Sequence, residues 1–150
     1  MPIAEKHFYH GAALSLIAAR GEFTALRRLR EECRSAYAVN DNVGIYVKHS
    51  KAEYGPWQFN FLPDHQTEVR DLFRAKGERT FIVLVCGHTG VCLLTYGEYA
   101  NVVDENFKEQ EAVLVERKGA GGFRVRGAGG ALERVVPLNR FPDGLFTQRE

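Results

Sequence analysis

The sequence predicts a single mixed α+β domain, and three observations carry that prediction. The chain has 150 residues, of which 45% are hydrophobic and 26% charged, the composition of one soluble globular domain. Its apolar pattern switches between the helical period of about 3.6 and the strand period of about 2. The run from Thr80 to Cys86 is apolar at nearly every position and rich in β-branched residues, as expected of a central strand covered on both faces. A chain of this size hides roughly 70% of its unfolded surface on folding, so a core forms without disulfide or metal staples. Lys plus Arg number 20 against 19 for Asp plus Glu, so contact with nucleic acid or an anionic membrane would have to come from local patches. The longest apolar run is far short of the roughly 20 residues that cross a bilayer, so no membrane is expected. The opening MPIAEKHFYHG has no basic stretch followed by an apolar core, and the three cysteines form an odd set. Both point to a cytoplasmic protein with reduced thiols.

The elements follow in order. Leu14, Ile17 and Ala18 lie at helical spacing in 11–20, and Gly21 stops that helix. A second helix is expected over 23–34, with Leu26, Leu29 and Cys33 inward and Arg27, Arg28, Arg30 and Arg34 on its other faces. From Ser35 the period becomes that of a strand, and Asn40-Asp41-Asn42 separates 36–39 from 43–48 as a hairpin turn. Val43, Ile45 and Val47 share one face of the second arm, Tyr46 and Lys48 the other. The alternating segment 57–61 completes a three-stranded meander, with Trp57, Phe59 and Phe61 opposite Gln58 and Asn60. Asp64 caps a helix whose stripe is Val69, Leu72 and Phe73, closed by Lys76-Gly77. A tight turn at 87–90 joins the central strand to 91–95, and a short helix spans 98–103. Strands at 112–117 and 123–126 flank a glycine-rich tip, 132–136 adds a third strand, and the tail from Phe141 is expected to be poorly ordered. The single domain 1–150 thus reads as an α/β core over 8–95 with a basic β-hairpin appendage over 112–140.

The chemistry begins at the hairpin. Asp41 precedes the second arm, Lys48 lies on its polar face, and Gln58-Phe59-Asn60 follows in the next strand. In the order helix, strand, strand, strand, helix, strand over roughly 8–95, the chain resembles the restriction-endonuclease-like superfamily. That resemblance implies a divalent-metal site built from an acidic residue near the second strand and an acidic-x-lysine on the third. Here Asp41 would ligate Mg²⁺, Gln58 would stand at the second ligand position and Lys48 would stabilise developing charge in place of the family's lysine, where Asn60 stands. A neutral amide is a poorer ligand for a hard cation than a carboxylate. The expectation is therefore a domain that acts by binding, without an intact catalytic set and without a cofactor. The alternative is a Mg²⁺-dependent nuclease with a variant site.

Other constellations are weaker. Cys86, His88 and Cys92 gather three zinc-type ligands around one turn, but no fourth is evident and Cys33 is remote, so packed thiols are expected. Cysteine catalysis beside His88 is opposed by burial, which suppresses ionisation of a thiol. His7, His10, His49 and His65 have no ligand or triad spacing and read as surface or helix-end residues. Ser15 and Ser50 lack a nucleophile elbow, and the glycine runs at 118–122 and 127–130 lack a phosphate-binding signature. Charge is uneven: 98–111 carries Glu98, Asp104, Glu105, Glu109 and Glu111, whereas 112–140 carries Arg117, Lys118, Arg124, Arg126, Arg134 and Arg140. Arg117, Lys118, Arg124 and Arg126 would form a basic ribbon able to follow a phosphate backbone, with Arg27 and Arg30 as a second contact face. The partner expected is nucleic acid or a protein. A homodimer joining the acidic segment of one copy to the ribbon of another is a further possibility.

Overall fold

The computed structural model describes residues 2–20, 25–29, 35–104, 109–119 and 121–146, the side chain of Lys118 excepted. Among these residues, two five-stranded sheets share one core, with helices on both faces of the first. This is the mixed α+β class read from the sequence.

Helix α1 (Glu5–Ala18) begins earlier than its apolar pattern because His7 supplies a cap, its Nδ1 accepting the Ala4 N–H at 2.8 Å. His10, Ala13 and Ile17 form its buried stripe, Leu14 is half-buried, and Ala18 is exposed. The helix expected over 23–34 is corrected in its described part: Leu26–Arg28 is strand β1, antiparallel to β2 (Ala36–Val39). β2 has a free edge on the side away from β3, and pairing there satisfies backbone groups that a helix would leave it without. Leu26 serves a strand as well as a helix, because it packs on the core either way. Gly21, Arg30 and Cys33 lie outside the described residues.

The turn between β2 and β3 (Val43–Ser50) is the expected hairpin, with Asn40 (φ 53) and Asp41 (φ 64) both left-handed as its tightest form requires. β4 (Trp57–Phe61) alternates buried and exposed as read, but it is not the third strand of a meander. It pairs antiparallel with β7 (Glu111–Lys118), placing Phe59 opposite Val113. The open edge of β3 is taken instead by β5 (Thr80–Cys86), parallel to it, and β5 also pairs antiparallel with β6 (Gly90–Thr95). The reason is polarity: β5 is buried along its whole length and needs cover on both faces, while β4 carries Gln58 and Asn60 on one face and suits a sheet with a solvated side.

Helix α2 (Pro63–Lys76) carries the chain from β4 back to β5. Leu62, rather than Asp64, occupies its N-cap, Pro63 is the first helical residue, and His65 Nδ1 accepts the Leu62 N–H at 3.2 Å. Gly77 (φ 60) ends it as expected. Helix α3 (Tyr96–Val102) follows β6 through a capping box, Thr95 Oγ1 accepting from the Glu98 N–H while the Glu98 carboxylate accepts from the Thr95 N–H.

The second sheet runs β10 (Val136–Pro137), β8 (Gly122–Gly127), β7, β4, with β9 (Gly130–Ala131) also beside β8. The hairpin expected as an appendage is thus half of the structure: Val113, Val115, Phe123 and Val125 share a core cluster with Ile82, Leu84 and Leu94 of the first sheet. Strand structure at 132–136 is confined to its end, at Val136. The tail is also corrected over its described part, since Phe141 and Leu145 are buried in the cluster formed by α1 and the opposite face of the first sheet. The order of layers is therefore α1 with the tail, then the first sheet, then α2, α3 and the second sheet.

Candidate ligand groove

Strands β3 and β5 run parallel and end together at Ser50 and Cys86. The carboxyl ends of parallel strands are where open sheets of this kind present side chains and backbone to a ligand. Helix α1 lies across that end on the face carrying Val43, Ile45 and Val47. The same alternation places His49 on the α1 face, where its ring stacks on Tyr9 at 4.7 Å between centroids and 5° between planes. His49 Nε2 is 2.9 Å from Glu5 Oε2, and Lys51 Nζ is 3.8 Å from Glu5 Oε1. The hydrogen bond from His49 holds the Glu5 carboxyl below its ordinary range. His10 is buried beside them, with Nδ1 3.1 Å from the Tyr37 hydroxyl. Burial first, and then the charge of His49, Lys6, His7 and Lys48, pushes His10 down to about 4.

Next to this cluster α1 and the β5–β6 turn enclose a groove of about 700 Å³. Phe8, Tyr9, Ala12 and Leu16 form its helical wall, and Val85 and Val91 line the facing wall. Glu5 and His88 are its polar side chains. Phe8 is 66% exposed and Leu16 48%, a large apolar stripe left open beside the buried stripe of the same helix.

The expected nuclease residues do not meet in a cleft. Asp41 is exposed at the hairpin turn, its carboxylate 3.0 Å from Arg27 Nε. Lys48 stands toward the other end of β3, about 17 Å along the strand from Val43, on the face opposite α1. Its Nζ is 3.0 Å from His65 Nδ1 and 5.2 Å from the Phe61 ring centroid. Gln58 is on the outer side of β4, donating to Asn60 Oδ1 at 2.8 Å. Among the described residues no three His, Cys, Asp or Glu side chains gather as a metal would require, so the Mg²⁺ and zinc arrangements are not assembled there. Cys86 and Cys92 are buried thiols, pushed up by burial to about 12 and to well above the ordinary value respectively. Arg124 and Arg126 are exposed on β8, where Arg126 pairs with Glu116 and the same carboxylate stands opposite Arg124. Arg117 Nε donates to the Gly119 carbonyl at 3.3 Å.

Sequence reading missed the groove and its histidine cluster. Two signals were present: the spacing of Phe8, Ala12 and Leu16 at intervals of four, and His49 continuing the alternation of Val43, Ile45 and Val47. Compared with family models, with curated proteins and with solved structures, the chain finds no match. Among the described residues no helix is long and apolar enough to cross a membrane.

Proposed function

We propose that this chain acts by binding, and that its ligand is a small molecule seated in the α1 groove. The observation that carries this reading is the groove itself, whose volume of about 700 Å³ lies within the roughly 300–1,000 Å³ of small-ligand sites. Apolar walls with a few polar groups suit a ligand with a flat or aliphatic body and one hydrogen-bonding head directed at Glu5 or His88. Nucleic-acid contact through the hairpin draws less support, because Arg126 and Arg27 are engaged by Glu116 and Asp41. Self-association of acidic and basic segments is likewise disfavoured: Glu98 pairs with Arg140, and Glu111 is buried and accepts the Asp104 N–H. A nuclease reading lacks a shared cleft for Asp41, Lys48 and Gln58.

Titration with the neutral apolar dye Nile red tests the proposal. One dye per chain should bind with increased fluorescence. Ala12→Phe, which fills the groove from an exposed helical position, should weaken binding by at least about tenfold, equivalent to about 1.4 kcal/mol, without changing circular dichroism. Equal binding by the variant, or no saturable binding by the wild type, would remove the groove as the site.

A further inference from the structure

The opposite face of β3 holds a second polar cluster that the groove does not use. Lys48 is half-buried there beneath α2, with Nζ 3.0 Å from His65 Nδ1. The Leu62 N–H also reaches that Nδ1, at 3.2 Å, so the nitrogen carries a lone pair and accepts from both. His65 is accordingly a neutral imidazole, its pKa lowered by burial first and by Lys48 second. The Phe61 ring lies 5.2 Å from the amine, and Glu68, which accepts from the Tyr46 hydroxyl at 2.5 Å, supplies the nearby negative charge. Burial makes the ammonium form costly and pulls Lys48 down to about 8. A neutral Lys48 that donates N–H to His65 keeps its own lone pair free.

We propose that Lys48 is a carbonyl-capturing amine whose ligand class is the aldehydes, with His65 as its proton acceptor and Phe61 and Glu68 as the cradle for the product. The Lys48 nitrogen forms a bond to the aldehyde carbon as the carbonyl π pair moves to oxygen. His65 Nδ1 takes one proton from the nitrogen and returns it to the alkoxide, giving the neutral carbinolamine. It then takes the second nitrogen proton and delivers it to the hydroxyl, which leaves as water as the C=N bond forms. One aldehyde and one amine thus give one imine and one water, with no change of oxidation state. Protonation of the imine restores a cation at the position that Phe61 and Glu68 already serve, by cation–π attraction and by charge. An acylated Lys48 would have no charge to set over the Phe61 ring or in the field of Glu68, which favours aldehydes over acyl donors. The site faces away from the α1 groove, so its failure leaves the groove untouched.

The test is reductive trapping of the full chain with benzaldehyde and sodium cyanoborohydride, read by peptide mass spectrometry. At pH 7 the N-benzyl adduct should form on Lys48 at least about tenfold faster than on Lys51, whose side chain is 75% exposed, because burial lowers Lys48 to about 8 and His65 stands ready to accept its proton. Trapping at Lys48 should level off above about pH 8. His65→Gln should slow Lys48 trapping and leave Lys51 unchanged. Equal labelling of the two lysines, Lys48 trapping that keeps rising well above about pH 8, or no effect of His65→Gln would each overturn the assignment. The first two readings need no variant and so do not depend on how well one folds.

Discussion

His10 shows how much one buried side chain can set. It is 6% exposed, hydrogen-bonded to Tyr37 and surrounded by Lys6, His7, His49 and Lys48, and these surroundings push it down to about 4. The unfolded chain, with an ordinary histidine near 6.5, takes up a proton first as pH falls. Stability from His10 is therefore complete above about pH 6.5 and is lost progressively down to about pH 4, to a limit of about 3 kcal/mol. His65, also lowered, changes in the same direction. Urea unfolding of wild type and His10→Gln at pH 7 and pH 4.5 should show the variant losing less stability on acidification. Parallel losses would mean that His10 is not held neutral. None of this was legible in the sequence, where residues 10, 37, 49 and 88 have no common spacing and only the fold brings them near one another. Asp41, by contrast, was legible as a turn residue, because the demand for left-handed backbone is local.

At the scale of the element, what could be read was which face of a segment is apolar. What could not be read was its partner. The alternation of β4 survives intact, with Trp57, Phe59 and Phe61 each 1% exposed or less and Gln58 and Asn60 in solvent. Truncating Phe59 to Ala should cost about 3–5 kcal/mol through lost burial and a residual cavity, a large share of a typical stability of roughly 5–15 kcal/mol. Gln58→Ala removes only an exposed contact to Asn60 and should cost about 1 kcal/mol or less. Chemical denaturation of the two variants measures both, and similar losses would place the strand one residue out of register. The choice of β7 over β3 as partner depends on β5 arriving later in the chain to take the edge of β3, which no local window contains. The helix expected over 23–34 gives way to a strand in its described part for the same reason, since Leu26 and Leu29 suit either period and the edge of β2 decides. The start of α3 was within reach: Thr95 followed by Glu98 is a capping signature, and it starts the helix two residues earlier than the expected 98.

For the whole molecule, the consequence of shared core residues is that the two sheets should unfold together. Trp57 packs edge-to-face on Phe123 at 6.3 Å and reports the core between the sheets, whereas the helical circular dichroism signal comes from α1, α2 and α3 around the first sheet. The second sheet is also tied to the helix that follows the first, where the Gly129 N–H donates to the Val102 carbonyl at 2.9 Å at the end of α3. Beside it Gly127 has no room for a side chain, because an added Cβ would lie 2.3 Å from the Val102 oxygen and 3.0 Å from the Ala112 oxygen. Both obstacles are backbone, so relief requires β8 to move away from both α3 and β7. Gly127→Ala should cost about 2 kcal/mol, typical of overpacking, and lower the melting temperature by roughly 4–8 °C for a domain of this size. Trp57 fluorescence and circular dichroism should report the same midpoint in the wild type and the same shift in the variant, as one cooperative unit requires. A fluorescence midpoint that falls while the dichroism midpoint stays would mean that the second sheet melts separately from the first.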